Sequence, residues 1–185
     1  MRKIIVSNLV SLDGYFEGPN AELDWFTVDE EFNGYAEELL NSVDTILFGR
    51  KTYEMMASYW PTDEAKSDDP IIAGKMNSLP KIVFSTTLDN VEWENSSLIK
   101  NNVNAEILKL KARPGKDIVI FGSGSIVSAL TQSDLIDEYR ILINPVILGG
   151  GKSHFSGNPD RKTLKLTDVK RFNSGLIALY YQPII

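Results

Sequence analysis

Residues 117–130 join a buried strand to a helix through a turn of alternating glycine and serine. The four residues 118–121 are apolar and three of them are β-branched, which is typical of a strand covered on both faces. Gly122 and Gly124 allow the backbone to approach a ligand and leave N–H groups free where the helix starts. The segment therefore predicts a phosphate-binding turn, with a tight packing turn as the alternative. It differs from the Rossmann fingerprint because Val127 occupies the third glycine position.

A second segment, residues 45–56, has the same design of buried strand, glycine and helix. Gly49 stands at the turn, and Arg50, Lys51 and Thr52 follow it in the first turn of the predicted helix. Cations at a helix start oppose the helix dipole, and violations of local rules tend to mark function. An arginine fork and a lysine charge suit a phosphate, although a solvated helix start is the alternative reading.

A third strand, residues 81–84, ends in Ser85, Thr86 and Thr87. Hydroxyl residues are common turn formers, but they also suit the ligand crevice at the carboxyl end of a parallel strand.

Further elements follow from periodicity. A first strand is expected at about residues 2–10, and residues 27–30 read as a capping box before an amphipathic helix. Residues 61–80, bounded by prolines, are expected to form loop or short helix beside the cleft. Residues 107–110 are expected to form a short strand.

The end of the chain predicts strands. Residues 138–144 and 164–182 are rich in apolar residues, and the latter segment is expected to fold as a hairpin around residues 173–175. The fold class predicted is α/β: a mixed, mostly parallel central sheet with helices on both faces and a C-terminal antiparallel hairpin.

The composition of the chain fits a single globular domain, residues 1–185. Of its residues, 43% are hydrophobic and 24% are charged, and the chain contains no cysteine. The lack of cysteine excludes disulfides, thiolate metal sites and cysteine nucleophiles, and no metal site is expected. A net charge of −6 argues against nucleic-acid binding. Since neither a signal-peptide core nor a membrane-spanning run is visible, the cytoplasm is the expected location.

Two motifs do not support the chemistry that they suggest. Residues 149–153 look like the tail of a P-loop, but its first glycine would have to be at Val146, so a turn is expected. His154 is the only histidine and has no acidic neighbour in sequence, so we expect a surface or structural role.

The order of these motifs resembles the dihydrofolate reductase superfamily. The resemblance is closer to the reductase domain of the bifunctional riboflavin-biosynthesis deaminase-reductase, since residues 11–14 and 145–151 are similar to that branch's signatures. It implies that Arg50 and Lys51, with Ser85 and Thr86, surround the 2′-phosphate of NADPH. It also implies that Thr52 and residues 122–126 hold the pyrophosphate. The cofactor-binding residues expected are Gly49, Arg50, Lys51, Thr52, Ser85, Thr86, Phe121, Gly122, Ser123, Gly124, Ser125 and Ile126.

The sequence offers fewer candidates for proton transfer than for cofactor binding. Asp13 follows the first strand at the carboxyl end of the sheet, where burial would raise its pKa toward the working range. Glu31 is the alternative, although helix-dipole matching also explains an acid in that first turn. Trp25, just before the same helix, is a candidate for lining the substrate cleft or for covering the core.

The function expected is NADPH-dependent hydride transfer to a small heterocycle of the pterin, pyrimidinone or riboflavin-precursor type. The alternative is a non-catalytic nucleotide-binding or sensor protein that retains the NADPH cleft. The resemblance also implies a homodimer, for which residues 141–143 and the closing hairpin could supply an apolar contact.

Overall fold

The computed structural model describes residues 1–155, 157 and 160–184. The strands are β1 (Ile4–Ser11), β2 (Tyr15–Glu17), β3 (Val43–Gly49), β4 (Lys81–Phe84), β5 (Ser96–Ile99), β6 (Asp117–Phe121), β7 (Glu138–Asn144), β8 (Lys152–Ser153), β9 (Leu164–Arg171) and β10 (Ile177–Pro183). The helices are α1 (Glu30–Ser42), α2 (Arg50–Tyr59), α3 (Asp63–Asp68), α4 (Pro70–Ser78), α5 (Val103–Ala112) and α6 (Gly124–Gln132).

The main sheet has the strand order β5-β4-β3-β6-β1-β7-β10-β9. The six strands from β5 to β7 are parallel to their neighbours, whereas β10 runs antiparallel to both β7 and β9. The predicted α/β fold class and the C-terminal hairpin are therefore confirmed.

Helices cover both faces of this sheet because its strands are apolar on both sides. In β6, Ile118 and Ile120 point to a core that α5 and α6 complete, while Val119 and Phe121 point to a core under α1, α2 and α4. Alternate residues of a strand face opposite sides, so one continuous apolar run contributes to two cores. The carboxyl ends of β1, β3 and β6 consequently lie together at one edge between the two helical layers.

A small second sheet lies at this edge. Strand β2 pairs with β8 in antiparallel fashion, with Tyr15 opposite Ser153. The backbone N–H of His154 donates to the Gly14 carbonyl at 3.2 Å, which extends the pairing. This pairing holds the glycine-rich segment before β8 against the loop after β1.

Two local expectations need correction, and a third is met. Residues 107–110 lie inside helix α5 and not in a strand. Ile107 and Leu110 are buried on the same face of this helix as Val103, which fits a helical and not a strand spacing. Helix α1 is capped by Asp29, whose carboxylate accepts from the Phe32 N–H at 2.8 Å, so the capping box at residues 27–30 was wrong. The region at residues 61–80, expected as loop or short helix, consists mostly of the short helices α3 and α4.

Candidate cofactor and substrate cleft

The two predicted phosphate turns lie side by side because β3 and β6 are neighbours in the sheet. Ser123 ties them together: its Oγ accepts from the Gly49 N–H at 2.8 Å, and its own N–H donates to Thr52 Oγ1 at 2.9 Å. Ser123 itself has a φ of +57°, so the chain turns sharply into α6. The sequence therefore brings the starts of α2 and α6 to one site.

Gly122 needs to be glycine at this turn. Its φ is +58°, and a Cβ atom there would lie 2.8 Å from Thr52 Oγ1. The Gly122 N–H donates to Asn8 Oδ1 at 2.6 Å, and Asn8 Nδ2 donates to the Gly122 carbonyl at 3.0 Å. Asn8 is only 3% exposed, so a buried amide from β1 fixes the turn from below.

His154 supports the same amide. Its Nε2 lies 2.6 Å from Asn8 Nδ2. Because the amide nitrogen is a donor, Nε2 accepts and the neutral ring carries its proton on Nδ1, which is buried without a partner among the described residues. Burial lowers the pKa of His154 to about 4. Of the two roles expected for His154, surface or structural, its burial supports the structural one.

A polar cavity of about 290 Å³ opens above these turns. It is lined by the predicted residues of both turns together with the small sheet: Phe16, Glu17, Gly49, Arg50, Lys51, Thr52, Ser123, Gly124, Ser125 and Lys152. Three of these side chains are cationic and two helices begin here, which suits an anionic ligand. A Cβ at Gly124 would lie 3.1 Å from the Phe16 ring, so a larger residue would narrow this cavity.

The predicted cofactor residues Ser85, Thr86 and Ile126 do not line that cavity. Strand register sets Gly49 beside Phe84, so Ser85 follows next to Arg50, although Ser85 Oγ accepts from the Leu88 N–H at 3.1 Å. Ser85 and Thr86 lie outside the cavity lining. Ile126 is buried behind the turn, where a Cβ at Gly49 would lie 3.3 Å from its Cγ1.

Two apolar cavities continue from the polar one. The first, of about 150 Å³, shares four lining residues with it, which are Phe16, Glu17, Lys51 and Thr52. The second, of about 430 Å³, reaches under α1 and α4. The two apolar cavities share the side chains of Ser7, Leu9, Phe26, Met56 and Phe121. The three cavities form one cleft with a cationic end and an apolar end, and Phe121 belongs to the apolar part.

Asp13 holds the loop that contains Leu148 and Gly149. Its carboxylate accepts from Ser11 Oγ at 2.6 Å and from the N–H groups of Leu148 and Gly149 at 3.2 and 2.8 Å. The hydrogen bond from Ser11 is the main reason that its pKa is lowered, with the side chain exposed. The expected burial and raised pKa of Asp13 are therefore wrong.

Glu31 and Trp25 also lie outside the cavity linings. Glu31 Oε2 accepts from the Asn173 N–H at 2.8 Å, which holds the β9–β10 turn on α1. Trp25 Nε1 donates to the Glu22 carbonyl at 3.0 Å, and its ring packs edge-on against Phe26. Phe26, rather than Trp25, lines the apolar part of the cleft.

Several cleft residues were missed from the sequence. Asn8 was visible as a polar residue inside an apolar strand, which is a recognisable signal. Glu17 and Lys152 come together only through the β2–β8 pairing, which no local pattern announces. Within the described residues, no group of three or more histidine, aspartate or glutamate side chains could hold a metal ion. In the same part of the chain, no helix is long and apolar enough to cross a membrane.

The fold and the cleft define a dihydrofolate reductase-like α/β protein. The chain belongs to the RibD C-terminal domain family, whose model matches residues 2–178. Uncharacterized protein YyaP of Bacillus subtilis (strain 168) is 36% identical over 180 residues, which are 97% of this chain and 94% of that one. Uncharacterized protein YwjB of the same strain is 29% identical over 185 residues, with 97% of each chain covered.

Solved structures agree with this fold. A protein from Shewanella sp. PV-4 that is assigned to riboflavin biosynthesis matches with a TM-score of 0.78 and 26% identity, covering 99% of both chains. The diaminohydroxyphosphoribosylaminopyrimidine deaminase/5-amino-6-(5-phosphoribosylamino)uracil reductase of Thermotoga maritima matches with a TM-score of 0.71 and 17% identity. That match covers 99% of this chain and 57% of the Thermotoga chain.

Proposed function

We propose that the protein is an NADPH-dependent reductase that transfers hydride to a small heterocycle of the pterin, pyrimidinone or riboflavin-precursor type. The observation that carries the proposal is one cleft whose cationic end adjoins an apolar end. Such a cleft suits a phosphorylated dinucleotide at one end and a flat substrate at the other. Membership in the RibD C-terminal domain family supports it.

The residues at the polar end fit NADPH. Arg50 and Lys51 would hold the 2′-phosphate, with Ser85 beside them, and Thr52 with residues 122–126 would hold the pyrophosphate. The fit rests on the three cations that line this cavity and on the starts of α2 and α6, which meet there. NADPH, when bound, supplies the hydride.

The chain's own residues would orient the reacting rings and exclude water from them. Phe26, Met56 and Phe121 line the cavity next to the phosphate turns, so they would exclude water and orient two flat rings. For the proton, Asp13 and Glu31 remain the proposed carboxylates, with an ordered water as the other source.

Replacement of Arg50 tests the cofactor assignment. Arg50 is exposed and pairs only loosely with Glu54, at 3.3 Å, so it can turn toward a phosphate. We expect Arg50→Ala to weaken NADPH binding by roughly tenfold or more while NADH binding changes little, because charge-assisted bonds to the extra phosphate are lost. Calorimetric titration of both cofactors measures this.

Glu54→Gln is the matched control, since it breaks the same ion pair and keeps the guanidinium. It should bind NADPH at least as well as the unmodified protein. Equal losses for NADPH and NADH in Arg50→Ala would show that the 2′-phosphate lies elsewhere.

A nucleotide-binding or sensor protein without turnover is the second candidate. The observation that favours it is that Asp13 and Glu31 both accept backbone N–H groups outside the cleft. Oxidation of NADPH in the presence of a panel of pterins, pyrimidinones and quinones separates the two. Tight NADPH binding with no oxidation across the panel would favour the sensor.

A further inference from the structure

We propose that the apolar end of the cleft binds a planar aromatic compound without a phosphate group. The inference rests on the proposed function, since this cavity would hold the compound that receives the hydride. It narrows the substrate class, because a phosphoribosyl compound, the class for which the Thermotoga maritima enzyme is named, would not fit the charges found here.

The cavity walls select for flat apolar surface. The cavity measures about 430 Å³, and its lining includes Phe26, Phe32, Met56, Trp60 and Ile72. Aromatic rings stack on flat heterocycles, and an apolar wall favours a ligand that loses little hydration on entry. Phe26 and Met56 also line the neighbouring cavity, so a ring placed here reaches toward the phosphate turns.

The charged side chains that line the cavity disfavour binding of a phosphate group. Its lining, drawn from the described residues, contains no lysine or arginine, whereas Asp68 and Asp69 both contribute to it. Asp69 is fixed by capping α4, where its Oδ1 accepts from the Ile72 N–H at 2.9 Å. A phosphate would meet these carboxylates with no cation in the lining, and like charges at close range repel each other.

The nearby cations do not change this balance. Arg140 lies close to Tyr35, but its Nε donates to Glu138 at 2.7 Å. Lys170 lies 5.7 Å from the centre of the Tyr35 ring and does not line the cavity. Neither of these basic groups lines the cavity, although Arg140 also hydrogen-bonds to the Tyr35 side chain. Lys51 lines the adjoining cavity and not this one.

Neutral polar groups supply the specificity. Ser7 Oγ and Tyr35 Oη lie 3.1 Å apart in the wall, and the amide of Asn33 also lines the cavity. Burial raises the pKa of Tyr35, so its hydroxyl stays protonated. Such groups recognise carbonyl, hydroxyl or ring-nitrogen atoms of an uncharged ligand.

The test uses 1-naphthol and 1-naphthyl phosphate, which share a ring system and differ in the phosphate. Calorimetric titration at neutral pH should show 1-naphthol binding at least roughly tenfold more tightly, because the phosphate meets two carboxylates. Tighter or equal binding of 1-naphthyl phosphate that Ala36→Phe abolishes would overturn the inference, as would no binding of 1-naphthol.

Two variants place the binding in this cavity. Ala36→Phe puts a ring into the cavity lining and should abolish 1-naphthol binding. Asp68→Lys should bring the affinity for 1-naphthyl phosphate up to or above that for 1-naphthol. Asp63→Lys makes the same charge change at a fully exposed position of α3 outside the lining and should alter neither. If Ala36→Phe stays folded by circular dichroism and still binds 1-naphthol normally, the cavity is not the site.

An NADPH titration on the same samples separates the two proposals. NADPH binding unchanged by Ala36→Phe, together with lost 1-naphthol binding, supports both. If NADPH binds and 1-naphthol does not, only the substrate inference fails. If NADPH does not bind and 1-naphthol prefers the wild-type cavity, the cofactor proposal fails and the phosphate-free cavity stands.

Discussion

Among single residues, His154 links the pH of the medium to the shape of the turn at Gly122. Its neutral ring accepts from Asn8, which in turn holds both backbone groups of Gly122. A proton on Nε2 would remove that acceptor and add a buried charge. Protonation of this histidine is therefore the step by which mild acid should destabilise the folded state.

We predict a loss of stability in acid that depends on His154. Its pKa is about 4 in the folded protein against 6.5 in the unfolded chain, so between these values the unfolded state binds more protons. The free energy of unfolding should consequently fall by up to about 3 kcal/mol as the pH drops from 6.5 to 4. Urea unfolding at pH 7, 5.5 and 4 measures it. His154→Gln keeps an acceptor for Asn8 and should flatten this dependence; the same slope in both proteins would contradict the prediction.

The carboxylate of Asp13 can be tested by its chemistry. Because Asp13 is a proposed proton source, we expect Asp13→Asn to lower turnover by about a hundredfold or more. Loss of its hydrogen bonds from Leu148 and Gly149 alone would weaken loop docking and lower turnover only severalfold. Turnover of an accepted substrate, with NADPH affinity as the control, distinguishes the two. A hundredfold fall in Asp13→Asn would assign it the proton, and such a fall in Glu31→Gln would assign it to the helix.

At the scale of elements, Lys81 terminates helix α4. Its ammonium donates to the carbonyls of Met76, Asn77 and Leu79 at 2.8 to 2.9 Å and lies 4.5 Å from the centre of the Trp93 ring. The side chain is only 1% exposed, and burial lowers its pKa to about 8. One buried cation thus satisfies three carbonyls at a helix end.

We predict that Lys81→Met destabilises the protein by about 2 to 3 kcal/mol, because three carbonyls lose a charged donor. Urea unfolding at pH 7 measures the change. Lys109→Met, on the exposed face of α5 and paired only with Glu106, is the control and should change stability little. A loss for Lys81→Met no larger than the control's would mean that water replaces the ammonium.

The elements also show what local sequence can and cannot predict. The strands before Gly49 and Gly122 were predicted correctly, because continuous β-branched runs and glycine turns are local signals. The expectation of a strand at residues 107–110 fails because four residues are too few to distinguish the two-residue period of apolar side chains in a strand from the 3.6-residue period in a helix. The contribution of Glu17 and Lys152 to the cleft was invisible, since it depends on pairing between β2 and β8, far apart in the chain.

For the whole molecule, we predict a homodimer that forms through the late strands. Strand β9 is the edge of the sheet, and Leu166 and Val169 on it are 48% and 41% exposed. Exposed apolar residues on an edge strand suit contact with a second copy. Light scattering at micromolar concentration should give about twice the chain mass of 20.7 kDa. Leu166→Glu should shift the mass toward one chain, and a mass near 20.7 kDa for the unmodified protein would exclude the dimer.

The position of β1 in the sheet has a consequence for how the chain folds. This first strand lies between β6 and β7, and Asn8 reaches the Gly122 turn across 114 residues of sequence. Contacts so distant in sequence close slowly, because the intervening chain must be ordered before they are formed. While the chain is being synthesised, β1 therefore stays unpaired until its neighbours β6 and β7 have been made. The turn at Gly122 acquires its contacts with Asn8 only after β1 has paired with β6, so the shape of this turn reports that a pairing between distant parts of the chain has formed.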